Sequence, residues 1–126
     1  MFHILIVAAG GACGAVLRHL SNLAALRLFG PGFPWGTFFV NVAGSLLMGL
    51  LIGWLVRRTG GSTNELRLLL ATGFLGGFTT FSAFSLDFVT LWHDGPPAIA
   101  IGYVLASVMI SLLAVITGLW LVRIAA

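Results

Sequence analysis

Tyr103, Ser107 and Ser111 stand four residues apart within one long apolar run. On a helix that spacing puts all three side chains on one face. They would form a track of hydroxyls able to donate to an anion or accept from water; serines bonded to their own helix are the plainer alternative. A second set lies in "GFLGGFTTFSAFSLDF", Gly73 to Phe88. Phe78, Phe81 and Phe84 recur every three residues, which on a helix makes a stripe with successive members about 60° apart. Such a stripe ordinarily packs or faces lipid. These rings are interleaved with Ser82 and Ser85, and an aromatic ring is electropositive at its edge, so edges turned into a cavity can hold an anion. Asn41, in "GTFFVNVAGSLLMGL", brings an amide with donors and an acceptor into another apolar run. It reads equally as interhelical glue or as a ligand in a permeation path. Thr37, Gly44 and Ser45 beside it read as small packing residues.

Gly76 and Gly77 each cost about 1 kcal/mol relative to alanine in a helix, and Thr79 and Thr80 follow at once. A break in the helix is expected there, since non-helical backbone is tolerated at membrane depth where protein or a cavity covers it. Unwound carbonyls at such a break can coordinate a cation; an intact helix with glycines at a close crossing is the other reading.

Catalysis finds no support. His3, His19 and His93 lie far apart near the ends of apolar runs, and no metal-ligand spacing is present. There is no nucleophile elbow and no phosphate loop, so an enzyme is not expected. The net charge of +3 comes from six arginines and no lysine. They are scattered without aromatic interleaving, which argues against nucleic acid as a partner. The single cysteine, Cys13, excludes an intramolecular disulfide. Among Gly11, Ala12 and Gly14 it reads as a small buried packing residue.

The elements that must position these groups follow from composition. The 126 residues are 60% hydrophobic and 7% charged, against roughly 25% charged in a soluble domain. Such a chain cannot cover a water-facing surface. Lipid leaves helices or closed barrels, and continuous apolar runs rather than alternation select helices. Four spans are expected in one all-α domain, at about 2–17, 35–56, 66–92 and 97–122; about 20 residues cross the hydrocarbon core. The first lacks a basic n-region, so it reads as a span and not a cleaved signal peptide. Ser62 or Thr63 is a plausible helix N-cap, and Pro97 suits a first helical turn. Arg57, Arg58, Arg67 and Arg123 share one side with both termini, against Arg18 and Arg27 on the other. That favours termini in the cytoplasm. Four packed helices fill their own centre with side chains, so a polar route would run between subunits or along a groove that a partner completes.

Three stretches, "GGACGAVLRH", "GTFFVNVAGSLLMG" and "GFLGGFTTFSAFS", together with the four-span layout and the hydroxyl track, resemble the small fluoride channels of the Fluc/CrcB family. The resemblance covers nearly the whole chain. It implies an antiparallel, dual-topology homodimer with two fluoride pores and a third helix broken mid-membrane. It also implies a structural sodium ion on the two-fold axis, held by the backbone carbonyls of Gly76 and Thr79 from both subunits. By position, Phe81 and Phe84 match the family's paired phenylalanines, Asn41 its pore asparagine and Arg18 its span-one arginine, in the anion vestibule or structural. Ser82, Tyr103, Ser107 and Ser111 fall on its polar pathway. Two positions depart from the family: His19 stands where a tyrosine is common, and Asp87 where a glutamate, one methylene longer, is common. The four-to-two arginine count is also less even than strict dual topology prefers.

The function this implies is passive export of fluoride through the plasma (inner) membrane of a prokaryote, lowering its toxicity. A small proton-coupled multidrug exporter is the rival from another class, but it needs a carboxylate within the membrane. Here Glu65, Asp87 and Asp94 lie near span ends. A non-transporting membrane assembly subunit is the third reading.

Overall fold

The computed structural model describes residues 1–58 and 63–125, and every regular element among them is helical. The order is α1 (Phe2–Phe29), α2 (Trp35–Arg57), α3 (Thr63–Leu66), a π-helical stretch (Arg67–Leu75), α4 (Gly76–Phe78), α5 (Ser82–Asp94) and α6 (Pro97–Ile124). Four helical segments are long and apolar enough to cross a membrane: Phe2–Phe29, Trp35–Arg57, Thr63–Asp94 and Pro97–Ile124. Leucines, isoleucines and phenylalanines are exposed on their outer faces, the pattern of a bundle whose solvent is lipid.

The first helix is longer than the sequence predicts. It runs past Leu17 to Phe29 and stops at Gly30, whose φ of 76° is left-handed and whose N–H bonds the Leu26 carbonyl. Arg18 does not end the helix, because its guanidinium finds a carbonyl in the third span, described below. Ser62, one of the two expected caps, lies outside the described residues, and Thr63 is the first residue of α3. Pro97 opens α6 as expected of its fixed φ. Cys13, expected in the interior, is exposed: Gly10 and Gly14, not Cys13, form the buried face of α1.

Glycines set two close crossings. A Cβ on Gly14 would fall on the Phe74 carbonyl, and one on Gly77 would fall on the Gly11 carbonyl. Gly10, Gly14, Gly73 and Gly77 therefore let α1 lie directly on the backbone of the third span. On the other side, Gly49 meets the Val115 carbonyl and Gly118 meets the Leu46 carbonyl, which seats α2 on α6. Lipid supplies no hydrophobic drive between helices, so small residues four apart, permitting close van der Waals contact, are what hold them. Between these seams Val40, Leu75 and Phe78 form a buried cluster with Phe74 and Met48 against it.

Candidate functional site

The third span is not one helix. At the end of its π-helical stretch the Gly76 N–H is shared between the Gly73 carbonyl and the Ala71 carbonyl, the second being the wider i→i−5 bond. Helix α4 ends at Phe78, where Thr79 turns extended (φ −82°, ψ 159°), and α5 starts at Ser82. The glycines themselves remain helical, so the interruption falls at residues 79–81, downstream of the pair that signals it in the sequence.

Backbone groups set loose there are taken up by side chains. Thr80 N–H, which in a continuous helix would close on the Gly76 carbonyl, donates instead to Asn41 Oδ1 at 2.8 Å. Asn41 Nδ2 donates back to the Thr80 carbonyl at 2.9 Å. From α1, Arg18 Nη1 donates to the Thr79 carbonyl at 3.3 Å. The Thr79 hydroxyl donates to the Leu75 carbonyl at 2.8 Å. The Thr80 hydroxyl accepts the Ala83 N–H at 3.2 Å, the local bond by which threonine caps a starting helix, and lies 3.4 Å from Ser82 Oγ.

Beside the interruption lies a groove of about 510 Å³. It brings together Asn41, Gly76, Thr79, Phe81, Phe84, Ser107 and Ser111 from three separate spans. Ser82, Tyr103 and Arg18 stand outside its lining. The Phe81 and Phe84 ring centroids are 5.5 Å apart at 47°. Phe84 is buried, whereas Phe81 is 77% exposed. The expected three-ring stripe does not form: Phe78 is cut off by the interruption and stacks on Phe74, 6.1 Å away and 10° from parallel. Tyr103 is buried against Phe84, with centroids 5.2 Å apart, and its hydroxyl donates to Asp87 Oδ2 at 3.1 Å. Asp87 also lines a smaller cavity of about 240 Å³ with Asn22 and Thr90.

Ser107 and Ser111 depart from the usual behaviour of serines in a helix. Their hydroxyl oxygens are buried and find no hydrogen-bond partner among the described residues, not even on their own helix. Stranding a polar group costs about 1–3 kcal/mol, so these two hydroxyls are hydrogen-bond donors that an anion or water reaching them would satisfy. No residue of the lining carries a charge. The groove is lined by hydroxyls and aromatic rings beside an amide already bonded to Thr80, and it holds no fixed cation that would trap a small anion.

Thr80, also in the lining, was expected at the helix break but not among the site residues. Its signal was present, a threonine three residues before Ala83 at a helix restart, but its main bonds are made by its backbone. Gly44, read as packing, indeed packs: a Cβ there would collide with Thr79 Cγ2.

Residues 5–119 match the family described as CrcB-like protein, Camphor Resistance (CrcB). The chain is 57% identical over 123 residues to a Mesorhizobium japonicum protein named fluoride-specific ion channel FluC, with 98% of each chain covered. It is 58% identical over 123 residues to a protein of that name from a Chelativorans species, again over 98% of each. A third, from Rhizobium meliloti, is 53% identical over 123 residues. With every residue of the interruption and of the groove lining inside the matched range, this four-span chain belongs to the CrcB family.

Proposed function

We propose that the protein is a passive, fluoride-selective channel that lets fluoride leave the cytoplasm through a prokaryotic inner membrane. Hydrogen fluoride enters as a neutral acid and ionises inside, so an open anion path drains it down its gradient. The observation that carries the reading is the groove: two buried hydroxyls without partners among the described residues and two phenylalanines share one uncharged lining. The names of relatives over half identical along almost the full chain support it.

The working unit is an antiparallel homodimer with two such paths, the interruption of the third span lying at mid-membrane. Phe81, exposed on one chain yet part of the groove, supports a second copy closing the path. A structural sodium ion fits the backbone at the interruption. The Gly76 carbonyl is left without the Thr80 N–H, which is spent on Asn41, and the Thr79 carbonyl has a lone pair beyond the one facing Arg18. Carbonyl oxygens can replace the hydration shell of an alkali cation. Bound between two copies, the ion would supply positive charge that ties them together.

Fluoride efflux from liposomes holding the purified protein, read with an ion-selective electrode, tests the function. Rapid fluoride efflux with chloride far slower is expected. Equal rates for both ions end the claim of selectivity, and no efflux of either ends the channel.

A further inference from the structure

We infer that Asn41 is a positioning residue: it acts through the backbone of Thr80 to hold the third span open, and thereby sets where Phe81 and Phe84 stand. Its consequence for flux rests on the channel reading above; the bridge itself rests on geometry alone.

Both polar atoms of the Asn41 side chain are committed to one residue. Nδ2 donates to the Thr80 carbonyl at 2.9 Å and Oδ1 accepts the Thr80 N–H at 2.8 Å, both good hydrogen-bond lengths. The two bonds close a ring, as when two strands pair. An asparagine serving an anion alone would use its NH₂ and leave its oxygen idle or facing negative charge. Here the oxygen captures the one donor that would otherwise rebuild the helix onto Gly76. The anchor is firm, because neighbouring Val40 is fully buried and α2 is seated on α6 through Gly49. Arg18 holds the adjoining Thr79 carbonyl from α1, so the extended backbone is fixed between two helices. Phe81 follows Thr80 directly, and Phe84 lies in the first turn of α5. A shift of Thr80 therefore moves both rings.

Two measurements on the full-length protein test this. The first is hydrogen exchange at the Thr80 amide, which needs no conduction. Exchange should be slow in the wild-type chain and quicken by about tenfold or more in Asn41→Leu, as expected for loss of a part-buried hydrogen bond. Equal exchange in the two overturns the bridge. A wild-type chain that protects Thr80 but passes no fluoride sinks the channel reading and leaves the bridge standing. The second measurement keeps Asn41 and replaces the Thr80 N–H by an ester oxygen through semisynthesis. If Asn41 acts through Thr80, the ester, which removes the Oδ1 bond and leaves the Nδ2 bond, lowers fluoride efflux, though less than Asn41→Leu does, and adding it to Asn41→Leu lowers efflux no further than that substitution alone. An ester chain that conducts like wild type would show that Asn41 serves the ion directly, and the inference fails. Should Asn41→Leu not fold, the ester chain alone decides.

Discussion

Ser107 and Ser111 present hydroxyls that no described protein group satisfies, and this separates their stability from their use. Removing a hydroxyl that has a partner strands that partner, at a cost of about 1–3 kcal/mol. Removing one that has none deletes an unmet desolvation cost. Ser107→Ala and Ser111→Ala are therefore expected to keep or raise the melting temperature of the purified protein while lowering fluoride efflux several-fold. A fall in melting temperature with unchanged efflux would make the hydroxyls structural. Tyr103→Phe makes the contrast, since its hydroxyl donates to Asp87 and its loss should lower the melting temperature. The rings are tested by shape. Phe→Ile at Phe81 or Phe84 keeps apolar bulk at a cost usually under about 1.5 kcal/mol but removes the electropositive edge. Efflux should collapse in both variants while the fold survives; variants that conduct like wild type would reduce the rings to filler. The residue types around the groove were legible in the sequence because hydroxyls, an amide and interleaved rings are costly inside lipid and need a reason. Thr80 was not, since its part is played by its N–H and carbonyl, which every residue carries.

At the scale of elements, the helices were legible from hydropathy, but their ends and breaks were decided by distant partners. Arg18 looked like the end of a span, because a charge within one is expensive; the Thr79 carbonyl that satisfies it lies 61 residues away. Gly76 and Gly77 marked a weak point, yet the extended residue is Thr79, the Thr80 N–H beside it having been drawn to Asn41, 39 residues away. Gly77 instead serves the crossing with α1. That crossing gives an element-scale prediction. Gly14→Ala places a methyl on the Phe74 carbonyl, and since both sides are backbone neither can yield without the helices separating. Overpacking costs typically 1–3 kcal/mol, roughly, so the melting temperature should drop. Gly102, in α6, leaves open space where a Cβ would stand; Gly102→Ala should gain about 1 kcal/mol of helix propensity and melt no lower than wild type. If the two variants melt alike, the crossing is looser than its geometry states.

The whole molecule is under-closed as a single chain. Phe81 is 77% exposed and Leu86 67%, although Phe81 borders the polar groove, and an anion path open to lipid would not conduct. The homodimer proposed above would close this face with a second copy, and sodium at the Gly76 and Thr79 carbonyls would strengthen it. Exchanging sodium for N-methylglucamine, too large for such a site, should then lower the melting temperature of the dimer; an unchanged value removes the ion. The relative direction of the two copies is the sharper question, because charge argues against the antiparallel reading. Arg18 is turned onto the Thr79 carbonyl, leaving Arg27 at one end of the spans against Arg57, Arg58, Arg67 and Arg123 at the other. Arginines near span ends are held on the cytoplasmic side, so this imbalance alone would insert every copy the same way. Antiparallel pairing requires the preference to be overcome, which a stable pair can do by trapping whichever copies insert inverted. The decisive variant carries a single cysteine appended after Ala126, in a Cys13→Ser background because Cys13 is exposed. A membrane-impermeant thiol reagent applied to intact cells should label roughly half of the chains if insertion is dual, and the rest only after permeabilisation. Labelling entirely from one side would mean the arginines decide the orientation, and both the antiparallel dimer and its two opposed pores would have to be abandoned.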